Sequence, residues 1–336
     1  MSAWCSLSSM TRQTDSLDGQ QVVNVYTTRH YQVDTMLFQE FTKRTGIHVK
    51  EVKGTAEELI ERMKHEGKTS SADILLTVDG GALAFAKQHG VLQKMSTKAL
   101  LHNVPREWRD QEQYWFGIAT RARVIVYAKE RVKQEELSTY EDLAHERWKG
   151  KVLVRSSASL YNQSMLASFI ELNGQQQAEK WAQGIVRNFA RPPEGGDKDQ
   201  AKAIGAKIGD IAIMNTYYIG QMLNSSDPEE REIAEQLGVF FPNQLTTGTH
   251  INISGIALAK HAPNKENAVQ LAEFLTSTEG QTLLVQGSYE FPVNPETKMP
   301  RLLNDWRSFE KQTIDVATLG RLHKNASDIF EKVGWQ

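Results

Sequence analysis

The chain has 336 residues, of which 40% are apolar and 24% charged, which fits two globular domains of ordinary size better than one core. Its 39 basic and 41 acidic residues leave a net charge of −2, so electrostatics make no case for nucleic acid or a membrane surface. A single cysteine, Cys5, excludes an internal disulfide, a four-thiolate zinc site and an iron–sulfur cluster, and any bound metal must be held by harder atoms.

Residues 1–20 are rich in Ser and Thr and lack the basic region and apolar core of an export signal. On that ground alone the segment reads as a flexible cytoplasmic terminus. The other reading takes Met1–Cys5 as the remnant of an export signal, with Cys5 as a lipid-anchor cysteine and Trp4 as a poor fit to that pattern. No apolar run approaches the length of a membrane span.

From Gln21 onward strands and helices alternate. Gln21–Tyr26 is a strand, Asp34–Arg44 an amphipathic helix closed by Gly46, and Ile47–Val52 a second strand. Thr55 and Glu58 form a capping-box pattern that opens a helix to Glu66. Asp73–Asp79 is an apolar run, followed by a helix from Ala82 to Gln88, with Asp79 read as its cap. This succession is the α/β signature. Trp115–Ala128 differs, reading as two extended segments with no long helix between them, and a crossover between lobes is expected near Thr120.

Val152–Val154 is a strand that leads into a helix from about Leu160 to Leu172, with Tyr161 in its first turn. Ile211–Met214 is another, followed by Asn215 and Thr216 as helix N-caps and by Tyr217 and Tyr218. Asp227–Leu237 is a solvated helix, Thr249–Leu258 an extended return, and Asn264–Ser277 and Thr278–Gln286 are helices. Further helices are expected over Arg301–Gln312 and Ile314–Val333.

Tyrosines thus recur at strand-to-helix junctions: His30 with Tyr31, Tyr161, and Tyr217 with Tyr218. In open α/β sheets such junctions face the ligand crevice. A phenol binds a metal only by losing its proton, which needs a strongly Lewis-acidic ion, and Fe3+ meets that need better than Mg2+, Ca2+, Cu(I) or Zn2+. The positive helix ends favour phenolate by about 0.3–1 kcal/mol each. A tyrosine near a helix start also packs well as an ordinary amphipathic residue, and the residues alone leave both readings open. Arg121 and Arg29 are candidates to balance phenolate charge, with a surface ion pair as the plainer role for Arg121. Nothing in the chain matches a nucleophile with its base, a phosphate loop or a dinucleotide fingerprint.

Eight segments, in order, carry a resemblance: Val25–Tyr31, Ala72–Asp79, Leu160–Ser164, Ala190–Asp199, Gly209–Ile219, Gly248–Gly255, Lys260–Asn267 and Tyr289–Pro295. Through them the chain resembles bacterial ferric-iron ABC-transporter substrate-binding proteins, particularly those of cyanobacteria, from about Val22 to the C-terminus. The resemblance implies a two-lobed type II periplasmic binding protein that grips Fe3+ between tyrosines and closes by a hinge motion. It implies Tyr31, Tyr161, Tyr217 and Tyr218 as metal ligands, His30 as a ligand found only in some members, and Arg121 as an arginine near the metal. Some relatives carry an arginine where this chain has Gln221.

The lobes are expected over 21–119 plus 249–297 and over 120–248 plus 298–336. The expected function is non-enzymatic: a monomer in the periplasm binds Fe3+, with an anion such as carbonate completing the shell, and delivers it to an ABC permease and its ATPase. Two rivals stand beside it. One is a binding protein for an organic or oxyanionic solute, held by Arg121 and helix N-termini. The other is a non-haem iron enzyme, which would want His and carboxylate ligands.

Overall fold

In the computed structural model, which describes residues 21–336, the apolar runs form strands β1 Val22–Thr27, β2 His48–Lys53, β3 Ile74–Thr77, β4 Leu92–Gln93, β5 Trp115–Ala128, β6 Val152–Leu153, β7 Ile211–Asn215, β8 Leu237–Phe240, β9 Ile251–Ala259 and β10 Phe291–Pro292. They share one curled sheet in the order β2-β1-β3-β9-β5-β7-β6, with β10 and β8 added on β5 and β4 on β9. β1 runs parallel to β2 and β3, and β6 parallel to β7, whereas β5 and β9 lie antiparallel to each other and to their other neighbours. The features read at Cys5 and over residues 1–20 lie outside the described residues.

The two extended segments expected over Trp115–Ala128 are a single strand of 14 residues, all buried. Up to Ala122 it pairs with β9 and β10, and from Arg123 with β7 and β8. The strand therefore feeds the cores of both lobes. Phe116 and Ile118 belong to a buried cluster with Val23, Phe41, Ile74 and Leu271, whereas Ile125 and Tyr127 join Trp148, Leu166, Ile185 and Phe330. Hydrophobic burial thus builds two lobes, and β5 and β9 connect them.

Local signals act as the residues dictate. Thr55 Oγ1 accepts from Glu58 N at 3.3 Å while Glu58 Oε2 accepts from Thr55 N at 2.8 Å, completing the capping box. Gly46, at φ +73°, ends the helix Gln32–Thr45 in the left-handed region that glycine tolerates. The C-terminal helices are shorter than the periodicity predicts. They span Arg301–Trp306, Val316–Arg321 and His323–Val333. Between the first two the backbone is drawn off to pair beside the sheet, with Thr249 N donating to Glu310 O at 2.8 Å and Gln312 N to Thr249 O at 3.0 Å. Leu303 is buried in the first core and Leu319 in the second, so this tail touches both lobes. No described helix is long and apolar enough to cross a membrane.

Candidate metal centre

Tyr31 is the N-cap residue of the helix Gln32–Thr45, and Tyr161 lies in the first turn of Leu160–Asn173. Tyr217 and Tyr218 lie in the first turn of the helix Thr216–Leu223, directly after β7. Folding brings three hydroxyls into one triangle: Tyr31 Oη lies 2.9 Å from Tyr217 Oη and 3.3 Å from Tyr161 Oη, and Tyr217 Oη lies 3.2 Å from Tyr161 Oη. Tyr31 comes from the first lobe and the other two from the second. Tyr218 stands beside the triangle, its ring centroid 4.3 Å from that of Tyr217. His30 stays at the rim: it is exposed, and its ring centroid lies 4.7 Å from that of Tyr31.

The sequence predicts Asn215 as a helix cap, and the backbone agrees, but the side chain makes no capping hydrogen bond. Its amide serves the site instead. Oδ1 accepts from Arg123 Nη1 at 3.3 Å, and Nδ2 donates to Tyr217 Oη at 3.4 Å. Tyr31 likewise occupies a cap position without capping, which leaves its phenol free to project into the cleft. Asp79 does cap, accepting from Ala82 N at 3.0 Å.

Guanidinium groups surround the phenols. Arg29 is buried, with Asp34 at 2.9 Å and Glu290 at 3.2 Å, and its guanidinium carbon lies 4.6 Å from the Tyr31 ring centroid. Arg121 is 1% exposed, which excludes the surface ion pair: it donates to Val78 O and Ser254 Oγ and lies 5.3 Å from the Tyr161 ring. Arg123 and Arg155, which the sequence reading passed over, approach the same ring at 5.7 and 5.1 Å. Both are organised by Asp197, at 3.0 Å from Arg123 and 3.6 Å from Arg155, and its carboxylate also accepts from Asn215 N at 2.7 Å. The Arg121-Ala-Arg123 alternation on β5 was the available signal, since it sets both arginines on one face. Gln221, where some relatives carry arginine, donates to Ser288 O across the cleft at 3.2 Å.

Burial, then the nearby Tyr161, Glu290 and Tyr218, hold the Tyr31 phenol well above its ordinary pKa, with Arg29 opposing. Tyr217 is raised by burial and by Tyr161, Tyr31 and Tyr218, against Arg121. Tyr218 is raised by burial, Tyr161 and Asp197, against Tyr217 and the charge of Arg155. These three phenols are therefore neutral near pH 7 without a metal, and a cation must displace their protons to bind. Burial also opposes the charge of Arg121, but Tyr161, Tyr217, Tyr31 and Glu290 outweigh it and hold the guanidinium above its ordinary pKa. Among the described residues no group of three or more His, Cys, Asp or Glu side chains is placed to hold a metal. The donors gathered here are phenol oxygens, hard ligands suited to a small, highly charged ion.

Two lobes joined by shared strands, with polar groups from both converging in the cleft, define a type II periplasmic binding protein. Residues 69–310 match the bacterial extracellular solute-binding protein family, and the chain belongs to it. It is 44% identical to iron uptake protein A1 of Synechocystis sp. over 322 residues, 96% of this chain and 89% of that protein. It is 24% identical to the major ferric iron-binding protein of Neisseria meningitidis, over 93% of this chain and 92% of that one. A solved Trichodesmium protein in complex with iron and citrate superposes with a TM-score of 0.86 at 46% identity, covering 94% of this chain and 100% of that chain. The ferric binding protein from Campylobacter jejuni superposes at 0.89 with 39% identity and the same coverages.

Proposed function

We propose that this protein binds Fe3+ between its lobes and delivers it to an ABC importer, without catalysing a reaction. Tyr31, Tyr161, Tyr217 and Tyr218 are the ligands, as phenolates, and His30 is a peripheral, dispensable donor. Arg121 and Arg29 offset the phenolate charge, joined by Arg123 and Arg155. The observation that carries this reading is the triangle of hydroxyls from two lobes, each pair within 3.3 Å. Such a cluster of phenols becomes a compact trianion once a strong Lewis acid displaces the protons.

The lobes run over 21–119 plus 249–297 and over 120–248 plus 298–336, and the protein works as a monomer in the periplasm, handing iron to a permease and its ATPase. An anion such as carbonate completes the shell. In support, the hydroxyls of Ser159 and Thr216, at the starts of the helices that carry Tyr161 and Tyr217, are buried without a hydrogen-bond partner among the described residues.

The test is a visible absorption titration of purified protein with ferric citrate. One equivalent should produce a broad phenolate-to-iron charge-transfer band that acid abolishes, and the Tyr217→Phe/Tyr218→Phe double variant should fold but stay colourless. Absence of a band in the native protein, or stoichiometric iron retained by the double variant, overturns the assignment.

A further inference from the structure

The phenols are not the sole contact that shuts the cleft. Asp79, which ends the apolar run of β3, is 3% exposed. One carboxylate oxygen caps the helix Gly80–Gln88, while the other accepts from Asn252 Nδ2 at 2.7 Å and from Ser164 Oγ at 2.5 Å. Asn252 is itself fixed, its Oδ1 accepting from Gly80 N at 3.0 Å and Ile253 N at 2.7 Å. Those partners lie on the same side of the cleft as Asp79. Ser164 belongs to the other side, one turn beyond Tyr161 on a helix whose Met165 and Leu166 are buried in the second core.

A second contact lies beside it. The helix Val316–Arg321 bridges the lobes: Leu319 is buried in the second core and Arg321 pairs with Glu171 at 3.6 Å, while Val316 packs in the first lobe with Leu83 and Trp115. Its Gly320 meets Gly81 of the first lobe backbone to backbone. A Cβ on Gly320 would fall 2.6 Å from Gly81 O, and one on Gly81 would fall 3.0 Å from Gly320 N. Only glycine at both positions permits that approach.

We propose that Ser164–Asp79 and Gly320–Gly81 form an interlobe clasp that favours the closed cleft independently of the metal and sets how fast the cargo leaves. The proposal rests on the ferric reading given above. A hydroxyl donating to a buried carboxylate is a charge-assisted bond, stronger than a neutral one. On opening, water replaces Ser164 at Asp79, so the clasp biases the lobes without locking them.

The experiment measures iron release to a chelator by stopped flow, and the radius of gyration by small-angle scattering, for the full chain and for Ser164→Ala and Gly320→Ala. Both variants should release iron about tenfold faster, Ser164→Ala through one lost hydrogen bond to a charged group and Gly320→Ala through the clash of its Cβ with Gly81 O. Their visible band should stay where the native one lies, and their metal-free forms should be more extended. Native release rates in both variants overturn the clasp. So does faster release in Ser164→Ala alone with a shifted band, which would mean that Tyr161 had been disturbed. If Gly320→Ala does not fold by circular dichroism, the release rate and band position of Ser164→Ala decide. If the native protein shows no band, the ferric reading fails by itself, and scattering from the metal-free forms still decides the clasp.

Discussion

The two walls of the cleft are built differently. The first offers one phenol, Tyr31, backed by the buried Arg29 with Asp34 and Glu290. The second offers Tyr161, Tyr217 and Tyr218, backed by Arg123 and Arg155 around Asp197. On the first wall the one cation faces two carboxylates, so it packs on Tyr31 but leaves no positive charge over. On the second, Arg123 and Arg155 share one carboxylate and Arg121, 5.3 Å from the Tyr161 ring, adds a third guanidinium, so the surplus is available to phenolates. The second wall is therefore the one suited to hold phenolates around a bound cation, and the first the one that completes and covers the site.

Single substitutions should expose this asymmetry. Tyr217 Oη bonds both other hydroxyls of the triangle and is fully buried. Tyr217→Phe should lower ferric affinity by more than about 100-fold, beyond the range typical of losing a supporting group around a metal. Tyr31→Phe should keep a shifted visible band, because three phenols remain on the other wall, and lose less affinity. Chelator competition on both variants measures the ranking. Equal losses, or a larger one for Tyr31→Phe, would break the comparison.

Proton release should sharpen it. Tyr31, Tyr217 and Tyr218 are all held above their ordinary pKa, so each is protonated at neutral pH before the metal arrives. Every phenol that becomes phenolate then releases one proton, and ferric affinity must rise with pH and fall on acidification. The slope should be about one decade of affinity per pH unit for each phenol proton displaced. Tyr31→Phe should reduce that slope by about one. Competition titrations across the neutral range read it directly, and an unchanged slope would remove Tyr31 from the ligands.

Much of this architecture can be read from residue type and spacing. The capping box at Thr55 and Glu58, the closing Gly46 and the cap at Asp79 are local signals, and each acts within a few residues of itself. The tyrosines stood out because a bulky phenol is an unusual choice at a junction where small polar caps are common. The groups behind them were not legible in the same way. Glu290 meets Arg29 across 261 positions, and Asp197 meets Arg123 across 74, separations that no periodicity encodes. Asn215 shows a subtler gap: its residue type predicts a cap, yet Arg123 and Tyr217 offer its amide partners deeper in the protein. The C-terminal helices fell short for a similar reason, because pairing of Glu310 and Gln312 with Thr249 outcompetes local helix formation.

His30 should produce the smallest effect, and it sets the boundary of the first wall. Its imidazole is exposed and packs against the Tyr31 ring at 4.7 Å, outside the triangle of hydroxyls. An exposed donor at the rim competes with water for the metal, whereas the buried phenols do not, so its loss is readily made good by solvent or by an anion. His30→Ala should therefore change ferric affinity by less than about tenfold, below the cost of even one supporting group around a metal, and leave the charge-transfer band in place. A larger loss accompanied by a band shift would place the imidazole on the metal. The first wall would then contribute two donors, and the asymmetry between the walls would narrow to their charge alone.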